Sequence, residues 1–123
     1  MTEILRPSLY GAQHPIAILP EDAQSKSREN VKQVVVGHCC ESGDLLTPAP
    51  NEPESLAPRL LPKGEIGDSC IIESVGAYCS SMSAKNYNSF PEAAEVLKKS
   101  DGSLTLIRKR QTFEQIIENE LVR

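Results

Sequence analysis

Five of the nine prolines in this 123-residue chain fall between positions 47 and 62, at 48, 50, 53, 58 and 62, and three more, at 7, 15 and 20, lie among the first twenty residues. Each proline removes a backbone donor, fixes one torsion and constrains the residue before it. The density over 47–62 predicts an irregular loop with no regular ladder. Over 1–20 it predicts an extended lead-in, with one helical turn near residues 2–5 and no long helix. Residues 21–30 are polar without an apolar stripe and read as a surface loop. Regular structure is left to the remaining segments, and these favour strands. The run 31–37 (VKQVVVG) is β-branched and ends in glycine, and 69–75 (SCIIESV) stops at Gly76. Segments 93–98 and 103–108 flank Ser100-Asp101-Gly102, whose Asp-Gly supplies the positive backbone angles of a hairpin turn. In 112–121, Phe113, Ile116, Ile117 and Leu121 recur at helical spacing behind a Thr112/Gln115 capping box. Short strands, a hairpin and one terminal helix make a mainly β domain, a barrel or sandwich rather than a doubly wound sheet.

At 13.5 kDa the chain has the length of one domain with one core. A net charge of −4 with no basic patch speaks against a nucleic-acid or anionic-membrane partner. No apolar run approaches the length of a membrane span, and no basic stretch followed by an apolar one opens the chain, so a cytoplasmic location is expected. Cys39 and Cys40 are adjacent, and Cys70 and Cys79 follow at spacings that form no CxxC pair. Reduced thiols are expected, with neither a disulfide framework nor a metal site.

Three clusters carry the polar chemistry. His38-Cys39-Cys40-Glu41-Ser42-Gly43-Asp44 follows a strand directly, and its thiol beside a carboxylate suits an acid or a nucleophile, or equally a turn with a buried cysteine. Gly76-Ala77-Tyr78-Cys79-Ser80-Ser81-Met82-Ser83, followed by Asn86-Tyr87-Asn88, combines small residues with hydroxyls able to meet a phosphate or carboxylate, or forms a serine-rich loop at a strand end. Arg6 and Tyr10, four apart, offer a guanidinium fork and a phenol to one carboxylate if the segment is helical or bent; the alternative is a surface ion pair and a packed ring. No Gly-rich phosphate loop is present, and neither His14 nor His38 stands in a nucleophile motif.

Taken in order, RPSLYGAQH at 6–14, CESGD at 40–44, GAYCSSMS at 76–83 and NYN at 86–88 resemble the C-terminal part of diaminopimelate decarboxylases. The tail from AAEVL through DGSLTLIRKRQTFEQI is similar to that family too, so the likeness spans the chain outside 21–30 and 47–62. The resemblance implies a Greek-key β-barrel or sandwich of the alanine racemase-like type, residues 1–123 forming the second domain of a pyridoxal 5'-phosphate enzyme. It implies that the cofactor's lysine, its stacking histidine and its phosphate loop belong to an upstream (β/α)8 barrel, and that Met1 corresponds to an internal position or a split gene. By motif, Arg6 and Tyr10 match the pair that holds the distal carboxylate of meso-diaminopimelate. Cys40 matches the proton donor and Glu41 the grip on the distal ammonium, both reaching into a partner's site in a homodimer or beside a separate barrel chain. Tyr78 matches the tyrosine on the cofactor phosphate. The implied reaction is decarboxylation of meso-diaminopimelate to L-lysine in lysine biosynthesis, with the barrel-less chain inactive alone. A polyamine-precursor decarboxylase domain is the alternative among enzymes, and a non-catalytic dimerisation fragment the alternative outside them. Two departures stand out: the stretch between Asp44 and Gly76 is long and proline-rich, and Ser89-Phe90-Pro91-Glu92 replaces an arginine- and proline-containing run, which removes one basic contact.

Overall fold

A computed structural model describes residues 1–22 and 28–121. Helix α1 (Arg6–Tyr10) is followed by strands β1 (Ile16–Leu19), β2 (Asn30–Gln33), β3 (Pro48–Ala49), β4 (Glu52–Leu56), β5 (Arg59–Pro62) and β6 (Ser69–Ile72). Two 3-10 turns, Ser80–Met82 and Tyr87–Ser89, precede β7 (Glu95–Lys98), β8 (Leu104–Arg108) and helix α2 (Phe113–Ile116). Among the described residues the strands pair antiparallel as β1–β6, β2–β5, β3–β4 and β7–β8, with β1 lying against β5 and α1 against β4.

The region expected to be an irregular loop holds three strands, and the placement of the prolines explains how. Pro48 opens β3 and Pro62 closes β5 opposite Asn30, while Pro50 and Pro58 fall in the connections. Pro53 lies where the β3–β4 register shifts and has no cross-strand partner. A ladder tolerates proline at ends and bulges, where its missing N–H is not called on.

The expected strand over 31–37 is shorter than predicted, because the chain changes partner within it. After Gln33 the backbone leaves β5 and turns to 44–47: Leu46 N–H donates to the Val35 carbonyl (3.0 Å), Val36 bridges Leu45, and Gly37 N–H donates to the Asp44 carbonyl (2.7 Å). The helical turn expected at 2–5 instead forms at Arg6–Tyr10, where Pro7 sits in the first turn and Gly11 closes the helix in the left-handed region (φ 61°). The strand expected over 69–75 ends at Ile72, and Ser74 turns the chain with φ 56°. The β7–β8 hairpin forms as expected, although only Gly102 (φ 84°) takes a positive angle; Asp101 instead accepts the Ser103 N–H (2.8 Å). The Thr112/Gln115 capping box is formed, but α2 stops after one turn. Phe113 and Leu121 are exposed, so no packed face prolongs it. Of the polar loop over 21–30, residues 23–27 lie outside the described residues; beside them Arg28 pairs with Asp68, whose carboxyl also accepts the N–H groups of Glu65 and Glu21. The guanidinium first, and then those N–H groups, hold Asp68 below the usual carboxylate range.

The core is small: Ile4, Leu45, Leu61 and Cys79 are its buried apolar side chains, with Pro7, Thr47 and Pro48 fully enclosed. Thr47 is the polar pin of that core. Its Oγ1 accepts the Val35 N–H (3.0 Å) and donates to the Val35 carbonyl (3.4 Å). The isosteric change Thr47→Val therefore leaves the Val35 N–H without its partner at the point where the chain turns from β5 to 44–47, while the Val35 carbonyl keeps the Leu46 N–H. It is expected to lower unfolding free energy by about 1–3 kcal/mol, read as a lower urea midpoint with unchanged slope; an unchanged midpoint would show that solvent reaches the Val35 backbone.

Candidate functional site

Helix α1 is only five residues long, yet its cap and its proline fix it firmly. Arg6 and Tyr10 stand one turn apart and project from the same face. Arg6 is half-buried, and its Nε is buried without a hydrogen-bond partner. That N–H is an unmet donor enclosed by the chain itself. Tyr10 is exposed, and its ring meets Tyr78 edge to face, with centroids 6.5 Å apart and planes at 67°. Tyr10 thus touches one ring and is otherwise open to solvent, while Arg6 makes no ion pair among the described residues.

Tyr78 belongs to the second cluster. It has φ 61° and is more than half exposed, so a non-glycine residue is held in the left-handed region with its ring outward. Cys79 beneath it is buried: its sulfur accepts the Gly76 N–H (3.5 Å) and its thiol donates to the Ala77 carbonyl (3.6 Å). The buried thiol anchors this turn while Tyr78 faces solvent.

The third cluster folds as a tight turn over 37–44. Asp44, buried, accepts the Cys39 N–H on Oδ2 (2.9 Å), and its own N–H donates to the Glu41 carbonyl (3.0 Å). Gly37 is required because a Cβ there would collide with the Asp44 carboxylate. With its base fixed in this way, the tip presents Cys40 and Glu41 to solvent. Glu41 Oε1 accepts the Gly43 N–H (3.2 Å) and the Ser42 hydroxyl (3.3 Å). Burial and the acid beside it push the Cys39 thiol up, so Cys39 stays protonated. All four cysteines are free thiols.

Of the residues singled out in the sequence, Tyr10 and Tyr78 are in ring contact, Arg6 stands one helical turn from Tyr10, and Cys40 and Glu41 share the tip of the 37–44 turn. A cleft of about 450 Å³, lined by Ser8, Glu41, Ser42, Gly43, Pro53 and Glu54, sets α1 beside the Glu41 turn. Among the described residues, however, no hydrogen bond or ion pair joins Arg6 or Tyr10 to Cys40 or Glu41.

The Asn86-Tyr87-Asn88 turn, grouped in the sequence with the 76–83 cluster, is the element that touches the thiol and the acid of the 37–44 turn. Asn88 Nδ2 donates to the Cys40 sulfur (3.4 Å), and the Tyr87 hydroxyl donates to Glu41 Oε2 (3.5 Å). Asn86, Asn88 and Ser89 all have positive φ, and asparagine tolerates that region better than most residues. Burial and the negative groups of Glu41, Cys40 and Cys39 push the Tyr87 phenol up, so it keeps its proton and remains a donor. Phe90, at the departure from the arginine-containing run, stacks on His38 with ring centroids 3.9 Å apart, and His38 Nε2 in turn lies 3.1 Å from Thr2 Oγ1. No helix among the described residues is long and apolar enough to cross a membrane.

Residues 1–76 match the family described as pyridoxal-dependent decarboxylase, C-terminal sheet domain. The chain is 39% identical over 120 residues to a diaminopimelate decarboxylase of Buchnera aphidicola subsp. Baizongia pistaciae, covering 97% of this chain and 28% of that protein. It is 40% identical over 121 residues to that of Escherichia coli K12, covering 98% of this chain and 28% of the relative. Among solved structures, a crystal structure of diaminopimelate decarboxylase superposes with a TM-score of 0.87 at 40% identity, over 98% of this chain and 28% of the other. Another, from M. jannaschii in co-complex with L-lysine, gives 0.77 at 32% identity, over all of this chain and 25% of the other. The mainly β class expected from the sequence is thus the fold of that C-terminal domain, and the chain spans 28% of the length of the curated relatives it matches.

Proposed function

Since the chain belongs to the C-terminal sheet-domain family of pyridoxal-dependent decarboxylases, we propose that residues 1–123 form one such domain and supply part of a composite site that decarboxylates meso-diaminopimelate to L-lysine. The observation that carries the substrate is the placement of Arg6 and Tyr10 one turn apart on α1, with no ion pair at Arg6 among the described residues. A guanidinium and a phenol together suit a carboxylate at the far end of a substrate, and Glu41 suits an ammonium. Meso-diaminopimelate carries both groups at its distal end. Ornithine lacks the carboxylate, which favours diaminopimelate over a polyamine precursor.

The residues present fit one edge of pyridoxal 5'-phosphate and no more. Tyr78 is exposed, and among the described residues its hydroxyl makes no hydrogen bond, in keeping with a contact to a phosphate oxygen. Lys85, beside the same cluster, is paired with Glu92 and offers no free amine for the aldehyde. That anchor belongs to a barrel domain, which relatives several times longer have room to carry. When bound, the cofactor supplies the sink for the electron pair left as the carboxylate departs. The Cys40 thiol delivers the proton that takes the carboxylate's place and recovers its own from solvent, so carbon dioxide leaves and one proton enters. Arg6 and Tyr10 hold the distal carboxylate, and Glu41 holds the distal ammonium.

Valine, leucine, isoleucine and phenylalanine side chains lie open on the β7–β8 hairpin and α2: Val96, Leu97, Leu104, Leu106, Ile107 and Phe113 are each about half exposed or more. Such a surface supports assembly with a barrel domain and a second copy, in a cytoplasmic enzyme. The test is to join the chain to a relative's barrel half, supplied separately with pyridoxal phosphate, and to measure carbon dioxide release. Turnover of meso-diaminopimelate by the pair, none by either half and at most a slow background with ornithine is expected. An assembled pair that turns over neither substrate would overturn the reading in favour of a non-catalytic dimerisation module.

A further inference from the structure

We propose that Asn88 and Tyr87 are positioning residues, with the 86–90 turn fixing the direction in which the Cys40 thiol and the Glu41 carboxylate point. The proposal rests on the reading that Cys40 and Glu41 act on substrate, and it assigns the control of their geometry to residues 48 and 46 positions away in sequence.

Cys40 and Glu41 sit exposed at the tip of a turn, where rotamers of a thiol and a long carboxylate are free unless something outside the turn holds them. The turn itself supplies restraint to one Glu41 oxygen only, through Gly43 and Ser42. The other Glu41 oxygen and the Cys40 sulfur are each met by a donor from consecutive residues of the 86–90 turn. Two bonds from adjacent side chains onto two adjacent side chains fix both, provided that the two turns keep their distance. The Phe90 ring on His38 provides that spacing, because His38 is two residues before Cys40 and Phe90 two residues after Asn88. Behind it the 86–90 turn is tied to the rest of the chain: Asn86 Nδ2 donates to the Phe90 carbonyl (3.0 Å) and to Gln111 Oε1 (2.5 Å). The left-handed backbone at Asn88 (φ 53°) turns its amide toward the sulfur, which is why a residue tolerant of that region occupies the position.

The Asn88 amide holds the Cys40 sulfur in one orientation at the exposed tip, so the rate of alkylation at Cys40 reports the contact directly. In the complete chain, Asn88→Gly keeps the backbone freedom and removes the donor, and Asn88→Asp keeps the backbone preference and puts a negative charge in the donor's place. Iodoacetamide labelling at pH 7, resolved by cysteine, is expected to slow at Cys40 by about three- to tenfold in the first variant and at least as far in the second. Buried Cys79 should stay protected, and the rate at exposed Cys70 should stay as it is. In the assembled enzyme, Tyr87→Phe is expected to raise KM for meso-diaminopimelate about three- to tenfold with kcat nearly kept, since it loosens the ammonium grip and leaves the proton donor alone. An unchanged or faster Cys40 rate in both Asn88 variants would overturn the proposal, as would loss of Cys79 protection in both, which would make the turn a folding element. If labelling slows as expected while Cys40 proves dispensable for turnover, positioning stands and the catalytic reading of Cys40 falls.

Discussion

Replacing Cys40 by alanine in the assembled enzyme is expected to lower kcat about 10²- to 10⁴-fold, the usual worth of a placed proton donor. The KM for meso-diaminopimelate should move little and the absorbance of bound cofactor not at all. The reasoning is geometric. The thiol stands at the exposed tip of the 37–44 turn, makes no packing contribution to the buried core, and receives one hydrogen bond, from Asn88. Its removal therefore takes away a proton source without disturbing the Asp44 bonds that hold the turn or the face of α1 that carries Arg6 and Tyr10. Cys40→Ser, which keeps a donor of poorer acidity at the same place, should recover part of the loss. A kcat within twofold of the parent enzyme in Cys40→Ala would reject the assignment and direct attention to the Tyr87 phenol, the next proton carrier along the same cluster.

How much of this site can be seen in the amino-acid sequence depends on whether a residue's neighbours in space are also its neighbours in the chain. The capping box at Thr112, the Gly102 turn and the 37–44 turn are local, and each is legible because the residues that make the bonds lie within a few positions of one another. The three polar clusters are legible for the same reason. The Asn88–Cys40 and Tyr87–Glu41 contacts were not, because no local pattern signals a bond across more than forty residues. The 47–62 segment misled in a different way. Proline density argues against a ladder only if each proline needs its N–H, and ends, connections and a register shift absorb all five. The valines at 34–36 misled because propensity tells that a stretch is extended and not which strand it pairs with; the chain there exchanges β5 for 44–47. The helical pattern over 112–121 was a pattern without a partner, and a single turn is what a capping box alone sustains.

Arg6→Ala separates the diaminopimelate reading from a generic amino-acid decarboxylase more sharply than any change at the 37–44 turn. A guanidinium that grips the far carboxylate of the substrate contributes to kcat/KM only for substrates that bear that carboxylate. In the assembled enzyme, kcat/KM for meso-diaminopimelate is expected to fall about 30- to 1000-fold, the cost of leaving a partly desolvated carboxylate without its cation. Any residual activity on ornithine should be unaffected, so selectivity collapses by the same factor. Folding is not at stake, because α1 is held by backbone groups and by Pro7: the Arg6 carbonyl, retained in the variant, accepts the N–H groups of Gly11 and Ala12. Arg6→Lys should restore charge without the planar fork and recover only a part, since one ammonium cannot make two parallel bonds to a carboxylate. Equal losses on both substrates would mean that Arg6 supports the helix rather than the ligand. No loss on either would mean that Arg6 does not meet the substrate, and the carboxylate's partner would then have to be sought elsewhere.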